Sequence, residues 1–273
     1  MKKSRLAINS VSTRHANLEE ALAAYRRAGF KFVEFALSQV KEYMEEGHSV
    51  GDVRDMLNRY GLRCVGGFQR PVVCFGSARE RKANHRLIAG NARLLSELGA
   101  TTMVVGTDGP KDPGKVKDPV GDIARVFAAL AREIKDTGVT MCIEFNWSPV
   151  VKSLRTAAEV ARRSRAGNVG VLFDPAHYHC TPTKFDQINA ETVPYIKHVH
   201  VDDMRDKPGE LSNCNADRVL PGQGCLDLKA IFRTLEKHGY RGYYAIEMFN
   251  DKLWAMSPTA AARRMYKSLL PYC

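Results

Sequence analysis

Val169-Gly170-Val171-Leu172-Phe173-Asp174-Pro175-Ala176-His177 is an apolar run that stops at an acid followed by a proline. With no polar alternation inside it, Val169 to Phe173 reads as a strand buried on both faces, the pattern of a parallel sheet covered by helices. The same kind of run recurs on either side. Arg5 to Ile8, Phe32 to Phe35, Arg63 to Gly66, Thr102 to Val105, Thr140 to Ile143, Ile196 to Val201 and Tyr243 to Ile246 complete eight candidate strands.

Between these runs the apolar spacing changes to the helical period, over Leu18 to Ala28, Val50 to Tyr60, Arg79 to Leu98, Pro119 to Asp136, Ser153 to Arg163, Lys184 to Thr192, Leu226 to His238 and Ser257 to Leu270. Gly29, Gly61, Gly99, Gly138 and Gly239 each follow a helical stretch, where a left-handed residue commonly closes the last turn. Eight βα units with right-handed crossovers can close on themselves. The expected fold is therefore α/β, a (β/α)8 TIM barrel forming one domain over residues 1–273. An open doubly wound sheet is the alternative, but no GxGxxG follows the first strand and no GxxxxGK[ST] occurs, so the nucleotide folds lack their fingerprints.

Composition excludes several classes. The 273 residues, 44% hydrophobic and 26% charged, have an ordinary globular balance. The formal charge of +11 could favour anionic partners, yet the basic residues are scattered through helical stretches and not gathered into a tail or an aromatic-interleaved patch, so no nucleic-acid partner is expected. Seven cysteines contain no CxxC pair, which suits free thiols in a reducing compartment. The basic start at Met1-Lys2-Lys3-Ser4-Arg5 is followed by an apolar stretch broken at Asn9, Ser10 and Ser12, unlike a signal peptide. No apolar span approaches the ~20 residues needed to cross a bilayer. A cytoplasmic protein without membrane contact is expected.

Four of the late strand runs end in a metal-ligand type: Cys142-Ile143-Glu144, Leu172-Phe173-Asp174, His198-Val199-His200 and Ala245-Ile246-Glu247. A lone acid after a strand usually caps the next helix. Four ligand types at strand ends that a closed barrel gathers at one mouth point instead to a shared cation. Three carboxylates and one imidazole suit one divalent ion, with Mn2+ the first choice and Mg2+, Co2+ or Zn2+ as alternatives.

The segments Ile143-Glu144-Phe145-Asn146, Phe173-Asp174-Pro175-Ala176-His177, His198-Val199-His200-Val201-Asp202-Asp203, Pro221-Gly222-Gln223-Gly224 and Gly239-Tyr240-Arg241-Gly242 through Glu247 resemble the xylose-isomerase-like barrel superfamily. More narrowly, they are similar to its sugar isomerase and epimerase branch, including tagatose 3-epimerase-like, inosose-isomerase-like and inosose-dehydratase-like proteins. The resemblance implies that Glu144, Asp174, His200 and Glu247 hold the metal and that Glu144 and Glu247 also serve as the catalytic pair. It implies a small sugar or polyol substrate, with His177 and Arg218 in contact with it. A homo-oligomer is compatible with this by analogy, since related barrels often pair.

The expected chemistry is proton abstraction next to a carbonyl of a keto-sugar or keto-polyol, through a metal-stabilised enediolate. Proton return to the opposite face epimerises, return to another carbon isomerises, and loss of a β-hydroxyl dehydrates a keto-inositol or keto-glycoside. Trp147 and Trp254 follow the two glutamate strands and could wall a sugar, with Trp147 taken as the substrate contact. His198 shares strand parity with His200 and should sit one layer deeper. The long connection from Asp202 to Cys225 should cover the mouth. The first-half strand ends, Asn9-Ser10, Glu34-Phe35 and Gln69-Arg70, carry no clear catalytic signature, and Gln223 replaces the glutamate often found in the Pro-Gly-Glu-Gly turn.

Two rivals share the fold. An abasic-site endonuclease would need additional early-strand histidines and a late Asp-x-His, whereas Gln69 and Thr107-Asp108 stand near the early positions and no Asp-x-His lies between His200 and Glu247. A non-catalytic sugar-binding subunit would have no need of the four-ligand set.

Overall fold

The computed structural model describes residues 1–273. Its barrel strands are β1 (Leu6–Asn9), β2 (Phe32–Ala36), β3 (Arg63–Phe68), β4 (Thr102–Val105), β5 (Thr140–Glu144), β6 (Val169–Phe173) and β7 (Ile196–Val201), closed by β10 (Tyr244–Ile246). Two short strands, β8 (Asp203–Met204) and β9 (Arg218–Val219), form an antiparallel pair outside the barrel. The eight barrel strands are parallel throughout and close in the order β1-β10-β7-β6-β5-β4-β3-β2, with Ala7 beside Ala245 at the seam. The eight strands and the closed barrel expected from the sequence are thus present.

The main apolar core lies between the strands and the surrounding helices, where 66 buried residues form one cluster. Two smaller clusters, Ala7-Phe32-Val65-Ala245 and Val104-Cys142-Leu172, fill the floor inside the barrel. Because side chains alternate along a strand, residues two positions further on point into the same interior nearer the carboxyl ends. These are Asn9, Glu34, Glu144, Asp174 and Glu247, with His198 and His200 stacked in turn on β7. The floor is apolar and the mouth is ionisable.

The helices are α1 (Leu18–Ala28), α2 (Leu37–Glu45), α3 (Val50–Arg59), α4 (Ala78–Glu97), α5 (Pro119–Glu133), α6 (Leu154–Ser164), α7 (Pro175–Cys180), α8 (Leu228–Lys237), α9 (Asp251–Trp254) and α10 (Pro258–Leu269). Capping boxes at Ser49 with Asp52 and at Ser77 with Glu80 start α3 and α4, each satisfying otherwise free amides. All five helix-closing glycines named above have positive φ, from 60° at Gly61 to 109° at Gly29, a region open to glycine without a Cβ penalty.

One expected helix is not formed. Lys184 to Thr192 contains only a single 3-10 turn, Phe185–Gln187. The Asn189 side chain accepts from the backbone amides of Glu191 and Thr192, a local turn that competes with helix, and Phe185 is left 45% exposed instead of joining the core. The helix after β6 is instead the short α7, begun by Asp174 and Pro175. No helix of the chain is long and apolar enough to cross a membrane.

Candidate metal centre and cavity

Asp174 ends β6 and caps α7, so its carboxylate is divided between two tasks. Oδ1 accepts from the amides of Ala176 (2.8 Å) and His177 (3.2 Å), leaving Oδ2 directed into the barrel. There Oδ2 lies 3.3 Å from His200 Nδ1 and 3.0 Å from Arg218 Nη2. Glu247 Oε2 lies 3.2 Å from the same His200 Nδ1. Donor atoms of Glu144, Asp174 and His200 all fall within 4.8 Å of one another. Glu144, Asp174 and His200 therefore form one close group, which Glu247 joins at His200.

This spacing can be tested against an ion. Ligand atoms at ~2.1 Å from a first-row divalent metal stand roughly 3–4.3 Å from each other. The distances from His200 Nδ1 to the Asp174 and Glu247 carboxylates fall in that interval, a Glu144 oxygen lies within 4.8 Å of the Asp174 and His200 donors, and the mixed O/N donor set suits a borderline or hard divalent cation. The residues fit such an ion.

Charge balance follows the same geometry. Burial pulls the His200 pKa down, but Glu247 and Glu34, with hydrogen bonds to Asp174 and Glu247, outweigh burial and hold it well above 6.5. Burial would raise Asp174, yet Arg218, His177 and His200 keep it well below the usual carboxylate range. Glu144 is likewise lowered against its burial by His177, whose Nε2 stands 3.4 Å from Oε1. His177 is raised well above its ordinary value because Asp174 and Glu144 overcome its desolvation. Asp202, walled in beside Asp174, goes the other way and is raised well above 3.8 by burial first and by that neighbour second.

Arg218 is the largest wholly buried side chain in the molecule, at 1% exposure. It reaches the centre from β9, donating to Glu247 Oε2 at 2.8 Å, facing Asp202 Oδ2 at 2.7 Å and packing over Phe249. The connection that carries it is pinned by Asp203, whose carboxylate accepts from the amides of Gly222 (3.0 Å), Gly224 (3.0 Å) and Leu226 (3.1 Å). A Cβ at Gly224 would collide with the Met204 carbonyl, so the Pro-Gly-Gln-Gly turn packs tightly against β8. This long connection is structured, and Cys214, Asn215 and Arg218 from it wall the cavity.

The cavity holds about 500 Å³ and opens at the carboxyl ends of the strands. Glu144, His177, His200, Arg218 and Glu247 lie at its base, and Trp147, 54% exposed, stands at its side. Trp254 does not reach it. Its indole donates to the Val11 carbonyl at 3.1 Å and lies under Arg14, which makes it a packing residue of the β1 corner.

The first half of the barrel contributes more than its sequence suggested. Gln69, Arg70 and Thr107 line the cavity. Glu34, wholly buried, accepts through Oε2 from Asn9 Nδ2 at 3.0 Å and stands 2.9 Å from His200 Nε2 and 3.2 Å from His198 Nε2. Asn9 Nδ2 also donates to Glu247 Oε1 at 3.1 Å. His198 occupies the deeper layer expected for it. The one sequence signal that could have flagged Glu34 is a charged side chain at an inward position of an otherwise apolar run, Phe32-Val33-Glu34-Phe35.

Residues 22–270 match the family model described as the xylose isomerase-like TIM barrel. The inosose isomerase of Bacillus velezensis is 24% identical over 262 residues, covering 93% of this chain and 91% of that protein. The 3-dehydroshikimate dehydratase of Pseudomonas aeruginosa is 27% identical over 263 residues, 93% of this chain but 39% of that longer protein. Among solved structures, the IolI protein with a binding zinc atom superposes with a TM-score of 0.87 at 21% identity, over 98% of this chain and 97% of that one. At that identity the superposition speaks for the fold. By the family match, and as its late-strand motifs implied, the chain belongs to the xylose isomerase-like TIM barrel family.

Proposed function

We infer that this protein is a divalent-metal-dependent isomerase or epimerase of a keto-sugar or keto-polyol, with an inosose as the first substrate to try. The observation that supports this reading is the close grouping of Glu144, Asp174 and His200, with Glu247 beside His200, at a cavity of about 500 Å³. The inosose isomerase relative supports the substrate class. Mn2+ is our preferred ion on donor chemistry, and the zinc-bearing structural neighbour makes Zn2+ the ion to compare with it.

A bound divalent ion would supply Lewis-acid polarisation of the substrate carbonyl and its neighbouring hydroxyl. The chain's own residues do the rest. Glu144 and Glu247 are separated around the barrel by β6 and β7, so they approach a bound substrate from different sides. Glu144 is the more accessible, accepts from Asn146 Nδ2 at 3.1 Å, and adjoins His177, which can hold a proton during the cycle. Glu247 is fixed by Asn9 and Arg218. One carboxylate removes the proton next to the carbonyl, and the other returns it to the opposite face or to the adjacent carbon. Trp147 offers an apolar ring face to the substrate, and Arg218 with His177 offers donors to its oxygens.

A second reading, dehydration on the same site, is favoured by the dehydratase relative. Both begin with removal of the same proton and differ in whether a β-hydroxyl leaves. The test is proton NMR in D2O of Mn2+-loaded protein with inosose and with free ketoses. Deuterium entering the carbon next to the carbonyl, with the hydroxyls retained, supports isomerisation or epimerisation. Loss of a hydroxyl with a new alkene signal supports dehydration, and neither change on any substrate sinks both.

A further inference from the structure

Glu34 belongs to none of the late-strand motifs, yet it touches one of the four residues assigned to the ion, His200, and reaches a second, Glu247, through Asn9. Its side chain is 0% exposed in the middle of β2, on the far side of His200 from the convergence point. Imidazole has two nitrogens, and the one that ligates is selected by what the other does. His200 Nδ1 faces Asp174 and Glu247, at 3.3 and 3.2 Å. Nε2 faces Glu34 Oε2 at 2.9 Å. The same carboxylate oxygen takes a hydrogen bond from Asn9, whose amide also holds Glu247 Oε1.

We propose that Glu34 is a positioning residue: its carboxylate accepts a hydrogen bond from His200 Nε2–H, which leaves the Nδ1 lone pair facing the ion, and through Asn9 it orients Glu247. The inference rests on the metal reading of the late-strand site and adds a buttress from the opposite half of the barrel. Glu34, His198 and His200 also lie close enough to be considered as ligands of a second ion. The Asn9 amide donates into the same Oε2 that the two rings share, and an N–H directed at that oxygen suits a hydrogen-bonded buttress better than a ligand to a cation.

In Glu34→Gln the carbonyl oxygen can still accept from His200 and Asn9, while the amide nitrogen stands at the buried Oε1 position, where no acceptor faces it, at some cost in stability. That variant keeps the tautomer and removes the negative charge. Glu34→Ala removes the acceptor as well. Metal-free wild type and both variants, checked for fold by circular dichroism, are titrated with Mn2+ and with Zn2+ against a chromophoric chelator, and the ring nitrogens of His200 are followed by 15N NMR in the diamagnetic Zn2+ form. Outer partners of metal-bound histidine are worth ~10–100-fold in affinity. The expected order is tight binding at one ion per chain in wild type, roughly tenfold weaker in Glu34→Gln and roughly 100-fold weaker in Glu34→Ala, with loss of the single Nε2–H tautomer in the alanine variant.

Affinities within twofold of wild type in the folded glutamine variant overturn the proposal, whether or not the alanine variant folds. Two ions per chain, one of them lost in Glu34→Gln, also overturn it by making Glu34 a ligand. Wild type that binds neither ion removes the metal reading itself. No sugar is present, so failure of the exchange experiment above is a separate result.

Discussion

The two halves of the barrel divide the work. At or beside the carboxyl ends of β5, β6, β7 and β10 stand Glu144, Asp174, His200 and Glu247, whereas β1 and β2 contribute Asn9 and Glu34, which touch that group only through His200 and Glu247. The loops after β3 and β4 supply cavity wall, in Gln69, Arg70 and Thr107, and no donor to the centre. The lesson is that a parallel barrel gives every strand end equal access to the mouth, but charge balance restricts how many may carry an acid. Glu144, Asp174, Asp202 and Glu247 already crowd the second half and are offset by Arg218 and the histidines. The first half then serves as buttress and wall.

The largest test of this division is Glu247→Gln. Removing one proton-transfer carboxylate should lower carbon-bound deuterium exchange by ~10²–10⁴-fold, while calorimetry still finds Mn2+ bound. Undiminished exchange would move the chemistry away from the late strands.

Next comes Arg218→Gln. Deleting one partner of a buried ion network costs ~3–5 kcal/mol because the other charges stay behind. Urea unfolding of the metal-free variant should show a loss of that size, and a loss below about 1 kcal/mol would mean that water already shields the cluster.

Chelation should act on the second half alone. Metal at 100 times its dissociation constant adds ~2.7 kcal/mol to stability, so EDTA should lower the thermal midpoint of wild type by that equivalent, and Mn2+ should restore it. An unchanged midpoint in Asp174→Asn, with or without EDTA, is the matching control.

A smaller effect is expected from pH. His200 and His177 have folded pKa values raised well above 6.5. In the metal-free protein the stability they contribute is complete below about 6.5 and is lost as pH rises through their folded values. Metal ligation needs Nδ1 deprotonated, so affinity rises over the same window. Thermal midpoints with and without Mn2+ should diverge on going from mildly acid to alkaline buffer; parallel curves would show that metal binding displaces no proton from His200.

The smallest change should come from the wall. Arg70→Ala removes an exposed donor from the cavity rim, worth ~1 kcal/mol if it meets a substrate oxygen, and should raise KM severalfold while leaving metal affinity unaltered. A weaker metal would instead join the β3 loop to the centre.

Much of this was legible in the chain. Buried parallel strands leave unbroken apolar runs, helix ends leave glycines such as Gly29 and Gly239, and period-2 alternation places Glu144, Asp174, His200 and Glu247 on the inward face. Periodicity misjudged Lys184 to Thr192, because the Asn189 turn is a competition between side chain and backbone that a hydrophobic pattern does not register. The short α7 was hidden by its own cap, since Asp174 both starts the helix and points its other carboxylate oxygen into the barrel.

Sequence alone determined the eight barrel strands and the residue types at the late strand ends, each a property of local pattern, and favoured a barrel over an open sheet, which the closed strand order then decided. Only the tertiary structure decided that Glu34, separated from His200 by 166 residues, lies 2.9 Å from its ring, that Arg218 turns inward from a distant connection, and that Trp254 packs away from the cavity. Those facts depend on closing the ring of strands: proximity across a barrel is set by where strands meet in space, and one chain's residue order does not encode which distant side chains will share a proton.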